Sequence, residues 1–279
     1  MYVSSDMLGE ALGAVRSSIP LVHNITNYVT VHDVANIIIA CGGSPIMSDE
    51  PEDVGDLALI CGGLNINIGT LNKRSIEAMR IAAEGAARRG NPILLDPVGA
   101  GASRLRTETA KGLMRDYPIT VIRGNISEIT ALADGSGSAR GVDANVDDLV
   151  TTDNLKLKAD FAKAFALKHG VVVAITGAID LVSDGRVCYA VHNGSWRMGT
   201  ITGSGCQLSG LMTAFLVANK ERPLVAALAA LCTMGLAGEL ADSRMAEGDG
   251  NSTYGNRLID AVSLMTPEVL SDGARFELL

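Results

Sequence analysis

The sequence predicts an α/β protein with a mainly parallel central sheet and helices on both faces of that sheet. Short apolar runs rich in β-branched residues alternate along the chain with longer segments of helical period, which is the pattern of successive βα units. The runs PILLD at 92–96 and VVVAI at 171–175 are apolar without alternation, as expected of strands buried on both sides. Apolar residues make up 47% of the chain, which is enough for a large core. We therefore expect one domain over residues 1–279.

Each predicted element follows from this alternation. The predicted strands are 20–26, 44–48, 64–70, 92–99, 119–125 and 171–177. The predicted helices between them are 28–40, 52–62, 72–89, 103–116, 126–133 and 155–169. Two alternating runs joined by Asp184-Gly185 then predict a β-hairpin, and from Cys206 onward we expect only helices. The polar segment 134–145 predicts a loop, and its glycine spacing does not fit the G-x-G-x-x-G dinucleotide fingerprint.

Charge and cysteine content exclude several classes of partner. The formal net charge of −8 disfavours nucleic acid, which normally binds a basic face. Five scattered cysteines without a C-x-x-C pair indicate neither a zinc site nor a disulfide framework, and predict reduced thiols in a cytoplasmic protein. The first residues lack the basic and apolar regions of a signal peptide. The apolar run 223–241 is rich in Ala and Gly, contains Glu239 and lacks Trp or Tyr anchors, so we expect a buried helix and no membrane partner.

Polar residues at the ends of the predicted strands mark the candidate site. Ligands of parallel sheets bind beyond the carboxyl ends of the strands, where this chain carries Asp96, Arg123, Glu128 and Thr176. Arg123 can fork onto phosphate oxygens, and Mg²⁺ can bridge two carboxylates to phosphates. Together these residues resemble an ATP-Mg²⁺ site without a Walker loop. A structural alternative remains open, in which Asp96 caps a turn and Glu128 complements a helix dipole.

The segment TGSGC at 202–206 is the second candidate feature. A helix beginning near Cys206 would expose unpaired N–H groups that attract an anion, and Gly203 and Gly205 would let the backbone approach it closely. The same segment also fits an ordinary helix start capped by Ser204. A thiol at a helix N-terminus has a lowered pKa, so Cys206 is a candidate general base or nucleophile. A nucleophile would need a histidine partner, for which His23 is the candidate at a strand end.

Seven motifs in order and spacing resemble the hydroxyethylthiazole kinase family of the ribokinase-like superfamily. They are PLVHNITNYVT, GGSPIMS, INIGTL, ILLDPVGAGAS, IRGNISEI, AITGAIDLVSDG and TGSGCQLSG, and they cover nearly the whole chain. HNITN and SPIM separate this family from other ribokinase-like enzymes. The resemblance implies a three-layer α/β/α fold and transfer of the ATP γ-phosphoryl group to the hydroxyl of 4-methyl-5-(2-hydroxyethyl)thiazole.

The resemblance also implies roles for particular residues. Arg123, Thr176 and Gly205 are expected to contact ATP, and Asp96 and Glu128 to organise Mg²⁺. The expected substrate contacts are Met47, Gly203, Asn24 and Thr26. Cys206 occupies the place where many ribokinase-like sugar kinases carry an aspartate base, and it is expected to orient or deprotonate the alcohol without becoming covalently modified. Family members resemble one another in forming trimers with active sites between subunits, so a homotrimer is expected.

Three other functions stay open at this point. Another ribokinase-like activity, such as a pyrimidine-precursor kinase or a nicotinamide-hydrate repair enzyme, would differ in its substrate. A cysteine hydrolase would place a histidine within about 3–4 Å of the Cys206 sulfur. A non-catalytic binder of ATP or thiazole would not need Asp96, Glu128 and Arg123 together.

Overall fold

The computed structural model describes residues 2–134 and 150–279, so the loop predicted over 134–145 lies almost entirely outside the described residues. The helices are α1 (Ser5–Ser18), α2 (Val31–Cys41), α3 (Pro51–Ile60), α4 (Lys73–Arg88), α5 (Arg104–Asp116), α6 (Ile126–Asp134), α7 (Leu155–His169), α8 (Ser204–Ala218), α9 (Pro223–Ser243), α10 (Asn251–Leu264) and α11 (Pro267–Gly273). The strands are β1 (Leu21–Ile25), β2 (Ser44–Met47), β3 (Gly63–Asn67), β4 (Ile93–Asp96), β5 (Val121–Asn125), β6 (Val172–Thr176), β7 (Asp180–Ser183), β8 (Cys188–Val191) and β9 (Phe276–Leu278).

The described strands form one mixed sheet in the order β2-β1-β3-β4-β5-β6-β7-β8-β9. The strands from β2 to β6 pair in parallel, and β7, β8 and β9 add in antiparallel fashion. The predicted parallel sheet and hairpin are therefore confirmed. The register aligns Asn24 with Met47 and Asn67 with Asp96, so polar residues from neighbouring strands reach the same edge of the sheet.

The expectation of only helices after Cys206 is wrong for residues 276–278. These residues form β9, which pairs with β8 by aligning Tyr189 with Leu278. The Phe276 ring packs edge-on against Tyr189, with ring centroids 5.9 Å apart. Three residues are too few for a recognisable period of two, so this strand depends on the open edge of β8 and not on a local pattern.

Two apolar layers cover the sheet, as the predicted three-layer architecture requires. One core cluster packs α1, α2 and α8–α11 against one face of the sheet, and a second packs α3–α7 against the other. Within the described residues, α9 is the one helix long and apolar enough to cross a membrane by length and composition, and 83% of its most apolar segment is buried. The expectation that 223–241 forms a buried helix is therefore confirmed.

The start of α8 lies against the N-terminal end of α2. Gly203 precedes α8 with a φ of 82°, a left-handed conformation that favours glycine. A Cβ atom at this position would collide with the methyl group of Thr30. Glycine at 203 is therefore required both by the backbone conformation and by the close approach of Thr30, and it fixes where α8 begins.

Candidate functional site

The charged part of the candidate site lies where β4, β5 and β6 end, beside the first turn of α8. Asp96, Glu128 and Arg123 are 0%, 5% and 8% exposed, respectively. Charges so well removed from water are costly unless they have partners, so the contacts of each one indicate what the site can bind.

Arg123 joins the ends of three neighbouring strands. Its Nη2 donates to the Thr176 hydroxyl at 2.7 Å, and its Nη1 lies 3.4 Å from Asp96 Oδ2. A Cβ atom at Gly205 would come within 2.5 Å of Arg123 Nη2, so the guanidinium lies directly on the backbone of the first turn of α8. The buried Nε of Arg123 has no hydrogen-bond partner among the residues that the structure describes. The structure thus brings Arg123, Thr176 and Gly205 together and leaves donor capacity on the guanidinium for an anion.

Asp96 is held in place by neutral donors as well as by Arg123. Its Oδ2 accepts hydrogen bonds from Asn67 Nδ2 and from the Ser209 hydroxyl, both at 2.8 Å. Burial raises the pKa of Asp96, and the Arg123 charge and these hydrogen bonds oppose the rise. The carboxylate is thereby oriented between the end of β3 and the first turns of α8.

Glu128 caps the helix that follows β5. Its carboxylate accepts the backbone N–H groups of Gly99 and Asn125, each at 2.8 Å, while the Asn125 side chain accepts the N–H of Glu128. This reciprocal arrangement is a capping box. Glu128 therefore has a structural role at the start of the helix, which was the alternative left open for it. Burial, followed by repulsion from the Asp96 charge, raises the pKa of Glu128 to about 7.

The two carboxylates fit a divalent cation held largely through water and phosphate. The Asp96 charge raises the cost of a charge on Glu128, and a cation bound to both carboxylates would relieve that repulsion. Within the part of the chain that the structure describes, no group of three or more His, Cys, Asp and Glu side chains could hold a metal ion. Two carboxylates with additional water and phosphate oxygens are a common way to bind Mg²⁺.

Cys206 lies in the first turn of α8 and is bound by two amides. Asn27 Nδ2 and Asn67 Nδ2 each lie 3.2 Å from its Sγ. The expectation of a lowered pKa is wrong, because burial and the nearby Asp96 charge raise the pKa of this thiol despite its place at a helix N-terminus. Arg123, Thr30 and Asn27 oppose that rise without overcoming it.

The histidines do not supply a partner for this thiol. The Nε2 atom of His23 lies 3.0 Å from the carbonyl oxygen of Ser48, and burial lowers the pKa of His23. The other histidines contact Asn36, Phe165 and Glu277. A cysteine hydrolase that uses a Cys206–His pair is therefore not supported by this geometry.

A cavity of about 170 Å³ opens beside the charged cluster. Its walls include Asn24, Thr26, Met47 and Asn67, so three of the four expected substrate contacts lie together. Within residues 2–134 and 150–279, the buried Thr26 hydroxyl has no hydrogen-bond partner, which leaves it able to bind a ligand. The fourth expected contact, Gly203, lies against Thr30 and is not among the residues that line this cavity. Asn67 belongs to both parts of the site, because it lines the cavity and contacts Cys206 and Asp96.

Sequence reasoning did not select four polar residues of this region: Asn27, Asn67, Ser209 and Asp180. Asn67 had a usable signal, since a buried strand that carries Asn is unusual. Ser209 had one as well, because it lies three residues after Cys206 on the same side of α8. Asp180 accepts the N–H of Gly177 at 2.8 Å, and desolvation raises its pKa to about 7. Its proximity to Arg123 depends on the β6–β7 pairing, which no local pattern reveals.

Comparison with known proteins agrees with this geometry. Residues 12–268 match the hydroxyethylthiazole kinase family. The chain is 52% identical to the hydroxyethylthiazole kinase of Clostridium acetobutylicum, over 97% of this chain and 99% of that protein. It is similar to the structure of the hydroxyethylthiazole kinase protein from Pyrococcus horikoshii, with a TM-score of 0.86, 33% identity and 98% of each chain covered. A ribokinase-like superfamily protein from Enterococcus faecalis, 12% identical over 94% of each chain with a TM-score of 0.61, shares the fold. The chain therefore belongs to the hydroxyethylthiazole kinase family.

Proposed function

We propose that this protein transfers the γ-phosphoryl group of ATP to the hydroxyl of 4-methyl-5-(2-hydroxyethyl)thiazole, giving a thiazole phosphate for thiamin biosynthesis or salvage. The alcohol oxygen forms a bond to the γ-phosphorus, the bond from that phosphorus to the β,γ-bridging oxygen breaks, and ADP leaves. The hydroxyl proton is released to solvent, or to Cys206 where its sulfur is present as the thiolate. Such transfer passes through a loose transition state, so positioning and charge neutralisation matter more than a strong base.

One observation carries this proposal: Asn67 connects a buried charged cluster to the cavity, which we call the neutral cavity because its lining is uncharged apart from Asp49. A single amide nitrogen lies 2.8 Å from the Asp96 carboxylate and 3.2 Å from the Cys206 sulfur, and the same side chain lines the cavity. An alcohol bound in the cavity would thus have its hydroxyl beside Cys206, while a phosphate at the first turn of α8 would lie beside Arg123. A kinase needs this juxtaposition of an acceptor and a phosphoryl group.

The charged cluster suits the nucleotide end of the reaction. Arg123 and the backbone N–H groups of residues 203–206 would bind the γ-phosphate, and Thr176 would hold Arg123 in place or contact the phosphates. Asp96 and Glu128 would hold Mg²⁺ through water. When bound, this ion neutralises developing charge on the phosphates.

The neutral cavity suits the thiazole end. Asn24 and Thr26 offer hydrogen-bonding groups, and Met47 offers an adaptable apolar surface for a ring. Gly203 would contact the alcohol through its backbone. Because the pKa of Cys206 is raised, we favour its role in orienting the hydroxyl over its role as a base.

The surroundings of the cavity suit an active site shared between subunits. Tyr28 and Val31, which line it, are 77% and 36% exposed, and the adjacent Val29 is 58% exposed. Such an apolar rim is suited to contact with another chain. We therefore propose a homotrimer with active sites between subunits. We also propose that the protein is cytoplasmic and that residues 1–279 act as one catalytic domain.

A coupled assay of ADP release tests the proposal. With Mg·ATP, the thiazole alcohol should support turnover at least about 100-fold more efficiently, as kcat/KM, than a sugar, a pyrimidine alcohol or pyridoxal, a difference of about 2.7 kcal/mol in transition-state binding. Turnover with one of those alcohols and none with the thiazole would overturn the substrate assignment. ATP hydrolysis that no alcohol stimulates would overturn the kinase assignment.

A further inference from the structure

We propose that Asn27 and Asn67 are positioning residues that fix the Cys206 sulfur as a hydrogen-bond acceptor beside the substrate cavity. This inference rests on the proposed kinase function only for its activity readout. The direction of the hydrogen bonds to the sulfur depends on which end of each amide faces it.

Backbone groups determine the orientation of both amides. Asn27 Oδ1 accepts the N–H of Thr30 at 3.1 Å, and Asn67 Oδ1 accepts the N–H of Gly69 at 2.9 Å. A backbone N–H can only donate, so the oxygen of each amide must face it and each NH₂ group must face away. Both NH₂ groups then point at Cys206 Sγ, each at 3.2 Å.

Further hydrogen bonds lock the two amides together. Asn27 Nδ2 also donates to Asn67 Oδ1 at 3.1 Å, and Asn67 Nδ2 also donates to Asp96 Oδ2 at 2.8 Å. The Thr30 hydroxyl adds a bond to Asn27 Oδ1 at 3.1 Å. Asn27 and Asn67 are 5% and 1% exposed, so water does not compete for these bonds. The network leaves the sulfur facing two donors at a fixed position.

This arrangement has a chemical consequence for the thiol. A sulfur that receives two N–H bonds is stabilised when it carries negative charge and is not a donor to either amide. The Asn27 amide thus opposes the rise in the pKa of Cys206 that burial and Asp96 cause, as Arg123 and Thr30 also do. They also hold the sulfur at the boundary that Asn67 forms between the cavity and the charged cluster.

Alkylation by iodoacetamide measures this role without nucleotide or alcohol. Cys206 is the one cysteine that is partly exposed, while Cys41, Cys61, Cys188 and Cys232 are buried, so the reaction reports on Cys206 in the folded protein. Asn27→Asp keeps the acceptor for Thr30 and removes the NH₂ group. We expect its alkylation rate at a fixed pH to fall at least about fivefold, because thiolate is the reactive form. Asn27→Leu, in which the new side chain is similar in volume and uncharged, should also lower the alkylation rate.

Steady-state kinetics provide the second readout. In both variants kcat should fall about 10-fold or more while the KM for ATP changes less than about twofold, because the binding of ATP does not involve the amide. The matched control is Asn36→Asp on the outer side of α2, which makes the same chemical change without contact to Cys206 and should leave both readouts unchanged.

The two proposals fail in different ways. A folded Asn27→Asp or Asn27→Leu protein with wild-type alkylation and kcat overturns the positioning role. If the variants are alkylated more slowly but the wild-type protein phosphorylates no thiazole alcohol, the positioning role is supported and the proposed function is overturned. If Asn27→Asp does not fold, as judged by circular dichroism, the Asn27→Leu result alone decides between support and rejection.

Discussion

The two ends of the candidate site differ in how much of their bonding capacity the protein itself uses. At the charged end, each carboxylate is already bound: Asp96 by Asn67 and Ser209, and Glu128 by two backbone N–H groups. In the neutral cavity, the Thr26 hydroxyl is buried without a partner in the described part of the chain. Fixed charges favour a preorganised response to a transferring phosphoryl group, whereas an unpaired hydroxyl favours recognition of one ligand. From this difference we propose that the charged end determines the rate and that the cavity determines the substrate.

The largest effect should come from the guanidinium at the charged end. Arg123→Lys keeps a positive charge beside Asp96 but cannot contact both Thr176 and a phosphate with a planar fork. We expect kcat/KM, measured by ADP release, to fall about 10²–10³-fold. Arg88→Lys at the exposed end of α4 makes the same change and should have no effect. Activity within a factor of two in Arg123→Lys would remove Arg123 from the phosphate site.

A smaller effect should come from the backbone beneath that guanidinium. In Gly205→Ala the new methyl group would lie 2.5 Å from Arg123 Nη2, and the flexible guanidinium must move. We expect kcat to fall about 10-fold, since a misplacement of about 1 Å already costs catalysis. The free energy of unfolding, measured in urea, should change little.

The control for this substitution is Gly112→Ala in α5, where a methyl group would meet no atom within 4 Å. It should leave activity unchanged and stabilise the protein by about 0.5–1 kcal/mol, because alanine favours helix over glycine. An active Gly205→Ala enzyme would contradict close packing between Arg123 and the first turn of α8.

A conservative substitution in the neutral cavity should change KM and leave kcat nearly unchanged, which is the opposite of the charged end. Thr26→Val removes a buried hydroxyl without a partner, so we expect it to stabilise the free protein by about 1 kcal/mol. It should also raise the KM for the thiazole alcohol several-fold while kcat changes little, because a ligand-facing hydroxyl is lost.

Thr233→Val in α9 is the matched control, since it removes another buried hydroxyl without a partner from outside the site. It should raise the free energy of unfolding by a similar amount and leave KM unchanged. Equal KM values in Thr26→Val and the wild type would indicate that Thr26 does not face the substrate.

The smallest effect concerns the pH dependence of stability in the absence of metal and nucleotide. The pKa values of Glu128 and Asp180 are raised to about 7 in the folded protein by desolvation. Between an ordinary carboxyl pKa of about 4 and this value, the folded state therefore binds more protons than the unfolded state. The free energy of unfolding should then fall as the pH rises from about 5 to about 7.

Urea titrations at several pH values check this sign. Asp180→Asn should reduce the slope, since it removes one of the two carboxyl groups, whereas Thr26→Val should leave the slope unchanged. A slope that Asp180→Asn leaves unchanged would contradict the raised pKa of Asp180.

The sequence predicted the fold better than it predicted the connections within the site. Apolar runs such as PILLD predicted β4 and its neighbours because burial on both sides leaves a pattern in the chain. The three residues of β9 left none, and helix α1 was not predicted although its buried residues Leu8, Leu12 and Val15 recur at helical spacing. Arg123, Asp96 and Glu128 were found because charges at strand ends are conspicuous.

The site residues that sequence reasoning missed are mostly neutral. Asn27 and Asn67 contact Cys206, which lies 179 and 139 positions further along the chain, respectively. Only the fold brings these residues together. The predicted lowering of the Cys206 pKa was wrong for the same reason. Burial and Asp96 outweigh the effect of the helix N-terminus, and neither can be recognised from the neighbouring sequence. The charged residues at the ends of the parallel strands could therefore be predicted from the sequence, whereas Asp180 and the environment of each charge could not.

A crystal structure with Mg²⁺, a non-hydrolysable ATP analogue and the thiazole alcohol tests the central claim most directly. The account predicts the terminal phosphate between Arg123 and the backbone of residues 203–206, with the alcohol oxygen beside Cys206 Sγ and the ring against Met47. A terminal phosphate bound elsewhere, with the 203–206 backbone contacting only water, would contradict it.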